Sequence, residues 1–259
     1  MNYLYDGTFE GFLTCVHEHY YHEKAHSIRL AENFQEDMLA GSVVVETDTK
    51  KSDKVSDAII CKMSRNDLMR IYKVLGSIVS DPEMKCLRYL ELGFKMGKKI
   101  QLLHGNPIVH DIDEADLKVG FEIHRLYGLI RFSVMKAAAS LKPGSEQPEI
   151  LYAAIEPDND LLEFLVYHFK DRYRNNPFII HDKKRGKALV YGMGKWYITE
   201  FDEKGALENT DSENEYQRLW KMYFNTIGIK ERVNPRCQKN FMPVRYWKNL
   251  VEIDSTNGL

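Results

Sequence analysis

The chain has 259 residues, 44% of them hydrophobic and 29% charged, with a formal net charge of −2. That balance excludes collagen-like, coiled-coil and broadly disordered chains, and the near-neutral charge argues against a generally basic nucleic-acid binder. No apolar run is long enough to span a bilayer, so no transmembrane helix is expected.

The opening segment, MNYLYDGTFEGF, has no basic stretch and carries Asp6 and Glu10, so no secretory signal is expected. Residues 2–5 read as a short strand and Asp6-Gly7 as a turn. Thr8 caps a helix running to His22, with Phe12, Val16 and Tyr20 on one face. The β-branched run at 42–48 is a second strand, and the strand-helix-strand order predicts a parallel pair. Helices are expected from Ser52 to Lys62, from Ser64 to Val79, and from Pro82, as first helical residue, toward His104. Gly105-Asn106-Pro107 interrupts, and a further helix covers about 109–127.

After Gly128 the character changes. Strands are expected at 129–135 and 150–156, separated by a Pro/Gly/Ser-containing loop at 136–148, then a helix through about Arg174. Three more strands follow at 178–182, 187–192 and 195–201, joined by the Gly-containing turns DKKRG and GMG. A helix from about Ser212 to Ile227 leads into an aromatic, basic, proline-marked tail at 234–250.

The fold class is therefore α+β. It combines a helical N-terminal half holding a short strand pair, an antiparallel sheet in the order β-β-α-β-β-β covered by a helix, and a C-terminal helix with its tail. The chain reads as one α+β unit, 1–259, with a sub-boundary near 128.

Charge is uneven along the chain. Residues 216–250 hold eight Lys/Arg against Glu231 alone, and residues 165–196 hold eight against Asp171 and Asp182. Between them, residues 200–215 hold seven acids against Lys204. Such a surface steers an anionic partner, although solvated helix and strand faces explain the same counts.

No nucleotide-binding glycine loop, nucleophile elbow or zinc-protease motif is present, and no cofactor is implied. The four cysteines, Cys15, Cys61, Cys86 and Cys237, form no CxxC pair. No disulfide framework or metal site is expected, and a reducing, cytoplasmic location fits. His22 and His26 are four apart but have no third ligand. The remaining candidates are His124, Glu156 and Asp182 for proton transfer, and Arg125, Arg131 and Arg185 for an anion. Structural readings compete with these roles: His124 near a helix C-terminus, Asp158 as an N-cap, Asp182 in a turn. A hairpin of 129–135 with 150–156 would bring Arg131 and Glu156 to one polar cleft with His124, Arg125 and Asp182. In the tail, Arg236, Arg245 and Lys248 interleave with Tyr246 and Trp247, a pattern suited to phosphates and unpaired bases. The same aromatics would equally dock the tail onto the core.

Several segments in this order, among them YLYDGTFEGFLT (3–14), HRLYGLIRF (124–132), YAAIEPDND (152–160), HDKKRGKALVY (181–191) and NPRCQKNFMPVRYWKNL (234–250), are similar to a bacterial family of DNA-metabolism or DNA-repair proteins defined by a domain of unknown function. The resemblance runs nearly end to end. It implies a radical S-adenosylmethionine repair enzyme as partner, because such proteins are typically encoded beside one, and a similar module occurs fused to a uracil-DNA-glycosylase-like domain. The family's EPDHN motif here reads Glu156-Pro157-Asp158-Asn159-Asp160, without the His. The resulting expectation is an accessory protein that binds DNA, its repair enzyme or both. The alternatives are an enzyme acting on a damaged or modified base, with Glu156 or Asp182 as general base, and a pure protein-interaction subunit.

Overall fold

The computed structural model describes residues 1–33, 41–137, 149–202, 207–232 and 234–253. The loop expected at 136–148 lies, from residue 138 onward, outside the described residues. The chain divides into two compact units, Met1–Gly120 and Phe121–Leu259.

In the first unit, β1 (Asn2–Tyr5) is the middle strand of a three-stranded sheet. It pairs in parallel with β2 (Ser27–Leu30) on one side and β3 (Ser42–Val44) on the other. Between β1 and β2 runs α1 (Phe9–Tyr21), whose N-cap Thr8 accepts a hydrogen bond from the Gly11 amide as its spacing predicts. β2 has no counterpart in the sequence reading, since SIRL is too short to alternate visibly. Three helices follow: α2 (Thr49–Lys62), α3 (Arg65–Leu75) and α4 (Pro82–Met96), the first two capped by Asp48 and Ser64. α4 stops short of His104 because Gly97 takes φ 59° and the chain tightens into a 3-10 turn, Gly97–Leu102. The apolar faces close one core that includes Phe12, Val16, Ile28, Ile59, Leu87 and Leu90. Tyr20, expected on the Phe12 and Val16 face, is 46% exposed.

The unit boundary falls within α5 (Pro107–Leu129). The helix reaches Leu129, so the strand expected from 129 begins only at Ser133. The second unit is a six-stranded sheet in the order β8-β7-β6-β5-β4-β9. Its strands are β4 (Ser133–Ala137), β5 (Glu149–Ile155), β6 (Phe178–Asp182), β7 (Lys187–Gly192), β8 (Lys195–Glu200) and β9 (Leu207–Asn209). The expected all-antiparallel arrangement is corrected at one pair, because β5 and β6 run parallel. α6 (Leu162–Arg172) is the crossover that returns the chain in the same direction, which a tight hairpin cannot do. The short edge strand β9, which the pattern of the acidic loop conceals, pairs with β4.

The β7–β8 turn places Met193 at φ 51° and Gly194 at φ 77°, the two left-handed positions of a type I′ hairpin. α6 buries Leu165, Val166 and Phe169, and its Phe169 ring meets Phe132 edge-on at 5.3 Å. Phe132 in turn packs on Phe178, which stacks on Tyr191 of β7. Beyond the sheet lie α7 (Asp211–Ile227), α8 (Pro235–Phe241) and a 3-10 turn, Val244–Asn249.

Candidate nucleic-acid interface

Two polar regions stand out in the second unit; only the first collects residues picked out above, and the two are built differently. The first surrounds the Glu156–Asp160 turn between β5 and α6. At its centre is Glu122 of α5, only 2% exposed. Its carboxylate accepts the Asp158 amide at 2.9 Å, the Asn159 amide at 3.1 Å, the Asn159 side-chain amide at 2.6 Å and the Tyr246 hydroxyl at 2.5 Å. Burial by itself would raise this carboxyl. The hydrogen bonds from Tyr246 and from the 158–159 turn outweigh it and hold the group below the ordinary carboxylate value. Burial, then the bond to Glu122, pushes the Tyr246 phenol upward. Arg245 lies over the Tyr246 ring and donates to Glu122 at 3.3 Å, with Asp158 also at 3.0 Å. Lys248 pairs with Glu156.

From the other side, Arg185 donates to the Pro157 and Asp158 carbonyls at 3.3 and 2.5 Å and to Asp182 at 2.8 Å. Asp182 is fully buried, and its other oxygen accepts the amides of Lys184 and Arg185. In chemical terms this is a clamp. Glu156, Asp182, Arg185, Arg245, Tyr246 and Lys248 do come together, but each is held by another of the group or by the turn they enclose. Tyr246 is shut inside with Leu250, and Trp247 is half-buried with its indole N–H on the Met242 carbonyl at 2.8 Å. The tail therefore docks on the core through Tyr246 and Leu250, while Phe241 stays exposed.

The expected cleft around Arg131 takes another form. Arg131 is bound to Glu252 at 2.7 Å and to the Gly128 carbonyl. His124 is exposed and Arg125 half-buried on α5, and Arg236 is exposed on α8.

The second region is a groove of about 910 Å³ lined by Tyr127, Tyr167, His168, Lys170, Asp171, Arg172, Arg174 and Tyr191. Tyr127 of α5 stacks on His168 of α6, with ring centroids 4.1 Å apart and planes 17° from parallel. The Tyr127 hydroxyl donates to the Phe164 carbonyl, which fixes its ring. His168 Nε2 is shut off from solvent and has no hydrogen-bond partner among the described residues. Tyr167 stands 72% exposed. The Arg172 guanidinium lies 5.6 Å from the centre of the Tyr173 ring, and Arg174 pairs with Asp171 in an exposed bridge. The groove thus offers flat aromatic surface beside cations, with one acid against three basic side chains.

Neither Glu122 nor the groove aromatics appear among the residues the sequence marks as functional. Glu122 carried a readable signal. It lies three residues after Val119 and four before Leu126, on the buried stripe of α5, where an apolar residue is expected. Tyr127 and His168 had no such signal, since they come from different helices. Among the described residues, no three His, Cys, Asp or Glu side chains are placed to hold a metal ion. No described helix is long and apolar enough to cross a membrane.

The fold and these regions belong to a domain class that carries no assigned chemistry. The chain belongs to the family described as a domain of unknown function, DUF4130, which matches residues 80–252. The match takes in α4 and the whole six-stranded sheet and leaves the three-stranded sheet outside it. No curated protein and no solved structure matches the chain.

Proposed function

We propose that the chain is an accessory module of DNA metabolism that binds single-stranded DNA along the α6 groove. The observation that carries this reading is the groove's composition: an exposed Tyr167 and a Tyr127–His168 stack beside Lys170, Arg172 and Arg174. Cations of this kind neutralise phosphates and release counterions, while aromatic faces accept any unpaired base. The tail serves a different purpose in this reading. Its Arg245 and Lys248 hold the Glu156–Asp160 turn, while Arg236 and Lys239 are exposed on α8. A radical S-adenosylmethionine repair enzyme as partner belongs to the same proposal and rests on the family resemblance alone.

The test is fluorescence anisotropy of labelled single-stranded and duplex DNA with the whole protein across a salt series. Lys170→Ala/Arg172→Ala is expected to lower the slope of log affinity against log salt by about 1.4, at roughly 0.7 per phosphate contact on a single strand. Tyr167→Ala is expected to weaken binding about 10-fold with the slope unchanged, within the range of roughly 1–3 kcal/mol for a stacked base. Wild-type affinity and slope in both variants would remove the groove as the site.

A further inference from the structure

α7 presents an apolar surface that nothing else in the described second unit covers, and we infer that a second copy of this chain covers it, packed antiparallel along the same helix. The helix is fastened chiefly at its beginning, and further along Trp220 donates its indole N–H to Glu252 at 3.3 Å. Thr210 caps it, and the Glu213 carboxylate accepts the Val134 amide of β4 and the Gln217 side-chain amide. From Tyr216 onward the side chains turn outward. Tyr216, Leu219, Trp220, Tyr223, Phe224 and Ile227 are between 41% and 67% exposed. At 100° per residue, Tyr216, Trp220, Tyr223 and Ile227 form one stripe, with Leu219 and Phe224 on its flanks.

The area is large enough to matter. Six such side chains, each roughly 200 Å² when free and about half exposed, leave about 600 Å² on this helix. A lone soluble domain rarely shows a larger contiguous apolar patch, at roughly 300–600 Å². Two copies would bury about 1,200 Å² of apolar side chain, the lower edge of the range for specific, stable interfaces. Aromatic residues are also a type enriched at such interfaces.

Charge selects the occupant and its direction. Glu208 and Asp211 precede the apolar stretch, and Glu215 enters it already paired with Arg218 at 2.6 Å. After it come Lys230, Arg232, Arg236 and Lys239 against Glu231 alone. A parallel pair would set four cations against four. A two-fold antiparallel pair sets each acidic entrance beside the other copy's basic exit, the isologous arrangement of a symmetric dimer.

Sedimentation velocity and light scattering on the whole protein test this. The wild type is expected at twice the chain mass of 30.3 kDa. Leu219→Glu/Tyr223→Glu is expected at the single-chain mass with an unchanged far-ultraviolet circular dichroism spectrum, because both sites are exposed. Reversing the entrance with Glu208→Arg/Glu215→Arg is expected to weaken the dimer at least 10-fold, and adding Lys230→Glu/Arg232→Glu is expected to restore it. That rescue depends on the antiparallel register and not on folding. A wild type of single-chain mass at about 100 µM would overturn the inference. If that monomer then bound vesicles of phosphatidylcholine and phosphatidylserine, the face would be reassigned to an anionic lipid surface. A double-glutamate variant that stayed dimeric would place the contact elsewhere.

Discussion

The turn clamp and the α6 groove hold similar residue types and use them in opposite ways. In the clamp, Arg185, Arg245 and Lys248 face Asp182, Asp158, Glu122 and Glu156 within the chain, and the buried carboxylate at the centre has five donors. In the groove, Lys170 and Arg172 stand beside Tyr167 and a stacked Tyr127–His168 pair on an open surface. Both regions draw on α5, which sends Glu122 into one and Tyr127 into the other. The lesson is that a count of local charge does not locate a binding surface. A basic segment whose cations are matched by acids stabilises its own fold, whereas a less basic one keeps an exposed ring such as Tyr167 in solvent.

The comparison breaks most sharply at Glu122. Glu122→Ala removes the acceptor shared by two backbone amides, an Asn side chain and a phenol, and one of the two carboxylates on Arg245. It is expected to cost about 4 kcal/mol in urea unfolding, at roughly 1–3 kcal/mol for each buried donor left unsatisfied. A loss of less than about 1 kcal/mol would show that the turn does not depend on this carboxylate.

Acid sharpens the same point. Glu122 and Glu252 both lie below the ordinary carboxylate value in the folded chain; burial opposes this, and bonds from Tyr246 and the turn, or from Arg131, overcome it. A carboxylate depressed on folding contributes stability that is complete above its unfolded value, about 4.3 for Glu, and lost as pH falls through the lower folded value. The thermal midpoint is therefore expected to hold from pH 7 to about 5 and to fall below that. Glu122→Gln is expected to flatten the fall, and an equally steep loss in that variant would move the acid sensitivity elsewhere.

Tyr246→Phe keeps the ring that docks the tail and removes only the hydroxyl on Glu122. About 2 kcal/mol is expected, in line with a hydrogen bond to a charged group. A cost near zero would mean that the ring alone holds the tail.

The smallest effect belongs to Arg245, which is partly exposed. Arg245→Ala is expected to cost about 1 kcal/mol in stability and to leave the salt slope of single-stranded DNA binding unchanged. A slope lowered by about 0.7 would return the tail to the binding surface and undo the contrast between the two regions.

Local chemistry made much of the fold legible. Thr8 and Ser64 cap helices where their side chains reach the next turn, Pro82 opens one, and the paired left-handed positions of Met193-Gly194 close a hairpin. These depend on a few neighbouring residues, so the sequence determines them by itself. The direction of β6 against β5, the pairing of β9 and the burial of Tyr246 depend on residues far apart in the chain. So does the fate of each cation: Arg131 meets Glu252 across 121 positions, and Tyr246 meets Glu122 across 124. Ion pairs and stacked rings are governed by distance in space, and only the packed chain brings Tyr127 onto His168 or aims Lys248 at Glu156. The sequence determined where the charges and aromatics lie along the chain. The tertiary structure decided which of them are matched internally and which still face outward, because desolvation and pairing act only on groups that folding brings together.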